Sequence, residues 1–396
     1  MRSLLRKGSQ GMKTQTSSEK VAEGGYARAV KPMTPKDLEA VVQKVGAGVE
    51  EWDSARIVLE KPLQDAARNH GRVLLMKDTR EGNRLMAVKQ MPNRWMRLSP
   101  KDFNDQYPTA SEKPWEDIAY VAYLGTVGFP YVCEFYGIFR SPKETFVASQ
   151  FCSGGDLFGW CDHPSVPPVG QERESVMLPI VGQIFDGVCW LHDLGIAHRD
   201  LSLENILLQG QPTDAKVKLI DFGMTTLQRM VTNQIRGKDS YQAPEVHSDG
   251  EVDTFLGDNF ALGVVMFAMA AHDYPWTCTK RGKCQLFEYV SAFGFRRFLE
   301  KRRSRKKKDE FLCTIFSSDF VDVLDALLKF DPKHRACVGE ATFVQKKTDR
   351  KNVWEMTYLR LMGEQLQKKK QADRQRKSAG KEGEGKDSTM KTVVPS

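Results

Sequence analysis

Apolar residues in the early part of the chain fall into short runs parted by turn residues, a pattern that predicts strands. Between Arg56 and Gln90 the runs are Ile57-Val58-Leu59, Gly71 to Met76 and Leu85 to Val88, with a turn at Glu81-Gly82-Asn83. Ile206-Leu207-Leu208 and Val217 to Ile220 predict two more short strands, with polar loops beside them. The spacing of Val176, Ile180, Ile184, Val188 and Leu191 is helical and predicts a helix over 176–194. Ala261 to Ala271 is the longest strongly apolar run; its 11 residues fall short of the roughly 20 that span a bilayer, so it predicts a buried core helix. Residues 1 to about 50, rich in Ser, Thr, Lys and Gly, show little periodicity and are expected to be mostly disordered. Past about Gln345 a charged helical extension is expected to lead into a Gly-, Lys-, Glu- and Ser-rich tail. No internal repeat is visible.

Composition narrows this picture modestly. With 396 residues, 40% hydrophobic and 28% charged, the chain is globular in type and long enough for a large two-lobed domain with length left over at each end. Its eight cysteines form no C-x-x-C pair and sit in apolar surroundings, which fits reduced core thiols and a reducing compartment, cytoplasmic or nuclear. MRSLLRKGSQ lacks the apolar stretch of a secretory signal, and Arg2 excludes N-terminal myristoylation. The absence of acids before Glu19 is shared by mitochondrial transit peptides and by any basic tail. The net charge of +8 is uneven: residues 296–308 carry nine basic side chains, and the tail from Lys368 adds more. The 296–308 stretch reads first as a solvated loop between helices, then as a nuclear-import signal or a dock for an acidic partner; nucleic-acid binding would rest on charge alone.

The chemistry concentrates in residues 198–223, HRDLSLENILLQGQPTDAKVKLIDFG. Asp200 can accept or orient a hydroxyl proton, the Asn205 amide oxygen can hold one metal ion, and Asp221 can hold a second between phosphates, which is the set that phosphoryl transfer needs. This stretch resembles the H-R-D-L-x-x-x-N and D-F-G segments of eukaryotic protein kinases. The resemblance covers about residues 56–342 and implies an α+β, bilobal fold: an antiparallel-sheet N-lobe with one main helix over about 56–148, a hinge at 149–155 and a mostly helical C-lobe over 156–342. Residues 1–55 and 343–396 would then be extensions. It also implies ATP and Mg²⁺ as ligands and a protein hydroxyl as acceptor, Ser/Thr rather than Tyr. QMPNRWM, after Lys89, resembles a segment of FIKK-type kinases.

Carried over residue by residue, the resemblance implies a nucleotide site made of Gly71, Val73, Ala87, Lys89, Glu116, Ser149, Gln150, Cys152, Asp156, Leu207 and Asp221, with Asn205 and Asp221 as metal ligands. Gly71 and Val73 match the end of G-x-G-x-x-G-x-V, but the two earlier glycine positions are Ala66 and Arg68. Met86-Ala87-Val88-Lys89 matches V-A-I-K, so Lys89 would neutralise the α- and β-phosphates. Its helix carboxylate is assigned to Glu116, with Asp117 and Glu112 as alternatives. In TFVASQFCSGGDLF the adenine would bond the backbone of Gln150 and Cys152, Asp156 would reach the ribose, and the small Ser149 would leave room behind the base. Glu245 matches the A-P-E glutamate, Arg335 its arginine partner, and Asp258 the aspartate that bonds the HRD backbone. Arg199 would pair with an activation-segment phosphate, whose usual position falls near Gln234, with Thr232 the nearest hydroxyl. Ser202 replaces the family's lysine and Lys238 the family's threonine, so the two are expected to face each other, with Lys238 supplying the positive charge and Ser202 a hydroxyl. Asp200, Lys89, Lys238 and Ser202 form the expected catalytic set. The competing reading is a pseudokinase scaffold, suggested by the missing glycines.

Overall fold

The computed structural model describes residues 28–360 except 29, 67–70, 213 and 347. The segment expected to be disordered carries a helix, α1 (Pro35–Ala47), started by a capping box: Thr34 Oγ accepts from Asp37 N, and the Asp37 carboxylate accepts from Thr34 N. Leu38, Val41, Val42 and Val45 recur at i, i+3, i+4 and i+7, a short apolar stripe diluted by Lys and Glu on the other faces. That stripe is buried, and burial of an amphipathic face rather than composition decides whether a helix of this length persists.

After α1 come β1 (Val49–Glu51), β2 (Ile57–Ala66), β3 (Gly71–Asp78) and β4 (Arg84–Pro92), then the short helices α2 (Asn93–Met96) and α3 (Pro100–Gln106), α4 (Pro114–Thr126), β5 (Phe135–Arg140) and β6 (Glu144–Gln150). The strands form one sheet in the order β1-β5-β6-β4-β3-β2, antiparallel except for β1 on β5. Val42 and Val45 of α1, Ile118 and Ala119 of α4, Met91 of β4 and Ile138 of β5 share one core, so α4 is held between the sheet and α1.

The helical half contains α5 (Leu157–Cys161), α6 (Gln171–Asp193), a hairpin of β7 (Ile206–Gln209) and β8 (Lys216–Leu219), and β9 (Met230–Val231) paired with β10 (Val252–Asp253). It continues through α7 (Thr254–Ala271), α8 (Gln285–Phe293), α9 (Phe295–Lys301), α10 (Leu312–Ile315), α11 (Ser318–Leu327) and α12 (Ala341–Val344). The apolar run at 261–271 lies inside the 18-residue α7, longer than the run itself because the polar residues Asp258 and Asn259 are also buried. Both α6 and α7 have the length and mean hydropathy of a membrane span, but 67% and 94% of those windows are buried inside the protein, as expected of core helices.

The domain limits of 56 and 342 prove too narrow. At the N-terminal side Arg28 pairs with Asp186 at 2.5 Å, Met33 N donates to Leu194 O at 2.8 Å, and Met33 is buried in the C-lobe core. At the C-terminal side the expected extension folds back: Val353, Trp354, Tyr358 and Leu359 join the same core, Trp354 Nε1 donates to Val338 O at 2.7 Å, and Tyr358 Oη donates to Glu174 O at 2.9 Å. The backbone there makes a 3-10 turn at Val353–Glu355 and becomes helical at 357–360, so the expected helix starts later than 352, and the rest of the expected tail lies outside the described residues. Trp354→Ala should therefore cost about 3–5 kcal/mol of unfolding free energy in a urea titration, as for a core tryptophan. A loss under about 1 kcal/mol would place residues 353–359 outside the cooperative unit.

Candidate active site

The catalytic loop enters from the end of α6 and is fixed from beneath by Asp258 on α7. Asp258 Oδ2 accepts from His198 N and Oδ1 from Arg199 N, both at 2.8 Å, while His192 Nε2 lies 3.0 Å from Oδ2. Arg199 has φ 66, a left-handed conformation unfavourable for a long side chain, so these two bonds hold a strained turn. Burial opposes charge on His192, but the Asp258 and Glu340 carboxylates outweigh it and raise its pKa to about 9. The His198 ring packs 5.0 Å from Phe222.

Asn205 Nδ2 donates to Asp200 O at 2.7 Å and to Asp200 Oδ2 at 3.1 Å, which leaves its amide oxygen as the atom available to a cation. The β7–β8 hairpin brings Asp221 opposite Asn205, with Ile220 N donating to Asn205 O at 3.0 Å. Asp221 has φ 64, and the turn it makes sets Phe222 into the core. An amide oxygen and a carboxylate form a hard-oxygen pair that fits Mg²⁺, which takes its remaining ligands from phosphates and water.

Lys89 projects from β4 toward α4, and here the assignment to Glu116 is wrong. Lys89 Nζ lies 3.6 Å from Asp117 Oδ2, whereas Glu116 turns away and pairs with Lys113 at 2.9 Å. Asp117 Oδ1 also accepts from Phe222 N at 2.9 Å, so one carboxylate ties the lysine to the Asp-Phe-Gly turn. The physical reason is the helix face: Asp117, Tyr120 and Leu124 are spaced i, i+3 and i+7, and Tyr120 and Leu124 belong to the C-lobe core that contains Phe222. Burial opposes the Lys89 charge, yet Asp117, Asp221 and Glu112 together hold its pKa above the ordinary lysine value.

The nucleotide-site residues converge on neighbouring strands. Val73 pairs with Lys89 across β3 and β4, Ala87 with Ser149 across β4 and β6, and Ser149 Oγ donates to Ala87 O at 3.4 Å. Leu207 of β7 bridges Asp156 from below the hinge. The Gln150 amide is already engaged with Glu134 O at 2.8 Å, so only its carbonyl could serve a base, while among the described residues the Cys152 amide donates to no other backbone group. Asp156 Oδ1 caps α5 by accepting from Gly159 N at 2.7 Å. Gly71 pairs with Ala66, and a Cβ on it would lie 2.2 Å from Gln90 O, so close strand packing alone demands glycine there. Arg68 lies outside the described residues.

The activation segment closes over this site. Gly237 has φ 83, and a Cβ on it would lie 2.8 Å from Arg199 O and 3.4 Å from Asp200 Oδ1, so glycine lets the two chains touch. Lys238 follows, with Nζ 2.9 Å from Ser202 Oγ and 2.9 Å from Glu204 Oε2; the two departures from the family pattern do face each other. Arg199 reaches Gln234 with both Nη atoms, to Oε1 and to the backbone O at 2.8 Å each. Fully buried Arg335 forks onto Glu245 at 2.5 and 2.8 Å, anchoring the end of the segment.

The sequence pattern of one family, the protein kinase domain, matches residues 69–345. The chain belongs to that family. Curated kinases similar to it include a calcium/calmodulin-dependent serine/threonine-protein kinase of Malus domestica, 28% identical over 53% of this chain and 47% of that protein. The serine/threonine-protein kinase SRK2B of Arabidopsis thaliana is 30% identical over 51% of this chain and 54% of its own, and SAPK3 of Oryza sativa subsp. indica is 32% identical over 37% and 43%. The kinase chain thus spans about half the length of the first curated relatives it matches. Its bilobal α+β architecture is that of the family, and to the departures already named it adds another: an aspartate, a methylene shorter than glutamate, sits opposite the lysine.

This geometry separates two neighbouring carboxylates experimentally. Asp117→Ala should lower kcat/KM for ATP-dependent phosphorylation by about 10²-fold, the scale of losing lysine position. Glu116→Gln should stay within about twofold of the parent, because its charge serves Lys113 on the helix surface. Equal losses in the two variants would refute the assignment to Asp117.

Proposed function

We propose that this chain is a Ser/Thr protein kinase, transferring the γ-phosphoryl group of ATP to a protein hydroxyl. The single observation that carries the reading is Asp117, which joins Lys89 at 3.6 Å to Phe222 N at 2.9 Å and so couples the phosphate-binding lysine to the metal-binding turn. A scaffold with no chemistry to perform has no need of this coupling together with Asp200, Asn205 and Asp221. The serine/threonine preference rests on the similar kinases, which are serine/threonine-protein kinases, and on Glu204 before Asn205, where many tyrosine kinases carry arginine or alanine. Arg199 is satisfied by Gln234, which cannot be phosphorylated, so the activation segment would hold its form without a phosphate on Thr232.

In this mechanism Val73, Ala87 and Leu207 enclose the adenine, the Gln150 carbonyl and the Cys152 amide bond its edge, the second oxygen of Asp156 reaches the ribose, and Lys89 steadies the α- and β-phosphates. Mg²⁺ held by Asn205 and Asp221 would draw charge from the phosphate oxygens. Asp200 orients the substrate hydroxyl and takes its proton as the new O–P bond forms and the bond to ADP breaks. Lys238 supplies the positive charge beside the transferred group that Ser202 cannot supply, with Glu204 and Ser202 fixing its ammonium. Catalysis is then chiefly positioning and charge neutralisation.

Two measurements test this. Asp200→Asn should reduce turnover by about 10²- to 10⁴-fold while nucleotide affinity, followed by fluorescence of an ATP analogue, stays within about twofold. Parent and variant phosphorylating a mixed peptide library at the same rate would instead favour the scaffold reading. For the charge placement, Lys238→Thr should lower kcat more than it raises the KM for ATP, and adding Ser202→Lys should restore a substantial part. Additive losses without rescue would make the two positions independent.

A further inference from the structure

A groove of ≈ 730 Å³ opens between α8, α9 and the loop that follows, remote in sequence from the catalytic loop. Its floor is apolar, with half-buried Leu286 and Tyr289. Its walls carry Lys301, Arg302, Arg303, Arg305 and Lys308, and among the described residues no carboxylate lines it. At its edge Phe293 is 64% exposed, with its ring 4.8 Å from that of Tyr289.

The basic stretch is mostly exposed and leads from α9 to α10, as a solvated loop between helices would, and it is also closed on itself. Arg303 and Phe311 pair as an antiparallel bridge, Leu312 N donates to Arg302 O and Ser304 N to Glu310 O at 2.9 Å each, and Lys307 N donates to Ser304 Oγ at 3.1 Å. The Arg303 guanidinium lies 4.5 Å over the Phe311 ring. Such a loop presents its cations at fixed places.

Those cations are undercompensated. Asp273 serves both Arg302 at 2.7 Å and Arg305 at 3.2 Å, so one carboxylate answers two guanidiniums. Among the described residues no carboxylate pairs with Lys301, Arg303 or Lys308, and Arg303 reaches only the backbone O of Asp309 at 3.2 Å. Excess positive charge around an apolar floor is complementary to an acidic peptide with an apolar side chain at its centre.

We propose that this groove docks an acidic segment of a partner protein carrying an aromatic or branched aliphatic anchor. The anchor rests on Leu286 and Tyr289, and the flanking carboxylates meet Lys301 and Lys308. A peptide fits better than a nucleic acid because Arg302 is pinned by Asp273 and Arg303 by Phe311, which removes the two guanidiniums best placed to track phosphates. The stretch leading into α8 is tied to the activation segment, with Trp276 Nε1 donating to Ser240 O at 3.0 Å and Thr279 Oγ1 to Gln242 O at 2.9 Å. A docked partner would therefore sit beside the segment that carries Lys238. Binding at the groove does not depend on catalysis.

The test uses the full chain and a fluorescein-labelled peptide, Asp-Glu-Asp-Leu-Phe-Asp-Glu-Asp, followed by anisotropy at about physiological ionic strength, where distant charges are screened. Saturable binding is expected, weakened about tenfold or more by Lys301→Glu with Lys308→Glu, and about fivefold when the peptide's Leu-Phe is replaced by Ala-Ala. Both lysines are exposed, so an unchanged unfolding temperature will verify that the variant folds. Equal affinity in the parent and the charge-reversed protein would overturn the proposal. So would indifference to the anchor combined with tighter binding of an oligothymidylate of equal charge, which would mark a generic polyanion surface.

Discussion

The Asp258 carboxylate is the constraint on which the catalytic geometry rests. It takes two backbone N–H groups from consecutive residues of a turn that includes a left-handed arginine, and it does so from a fully packed helix. A buried carboxylate with only those donors would be costly; His192, whose Nε2 lies 3.0 Å from Asp258 Oδ2 and whose pKa the Asp258 and Glu340 carboxylates raise, provides a third partner. Because α7 is buried along almost its whole length, the loop that Asp258 holds is tied to the core, and Asp200, Ser202 and Asn205 take their positions from it. Arg199, whose backbone Asp258 holds, then reaches out and fixes the activation segment through Gln234.

The second dependence runs between the lobes. Asp117 is a shorter acid than the family's usual glutamate, and α4 must approach the sheet closely enough for it to serve Lys89 while bonding Phe222 N. The N-terminal segment contributes to that approach from behind. α1 packs Val42 and Val45 against Ile118 and Ala119 of α4, and the residues before it are tied to α6 by Arg28 and Met33. One stretch of chain outside the matched family region thus touches both the helix that carries Asp117 and the lobe that carries Asp200.

Legibility in the sequence differed sharply from residue to residue. The proximity of Asp200, Asn205 and Asp221 was readable because they lie in a short stretch in which local spacing fixes geometry, and the facing of Lys238 and Ser202 followed from the same frame. Glu116 was misassigned because counting along a helix does not say which face meets the core; the i, i+3, i+7 series of Asp117, Tyr120 and Leu124 was the available signal. The α1 helix was missed because its apolar stripe is only four residues and sits among Lys and Glu, so composition outweighed periodicity. Residues 353–359 were read as an extension because a tryptophan and a tyrosine in a charged stretch do not announce which core they enter.

By itself the sequence determined the strand-then-helix architecture, the His-Arg-Asp loop, the Asp-Phe-Gly turn and the pairing of Arg335 with Glu245, since each rests on local periodicity or on a motif whose spacing is its geometry. Tertiary structure alone decided the partner of Lys89, the two hydrogen bonds from Arg199 to Gln234, the packing of residues 28–51 and 353–359 on the rest of the chain, and the shape of the basic loop as a closed groove wall. These depend on contacts between residues far apart in the chain. Which side chains meet is then set by helix rotation, strand register and core packing, and no local spacing encodes those.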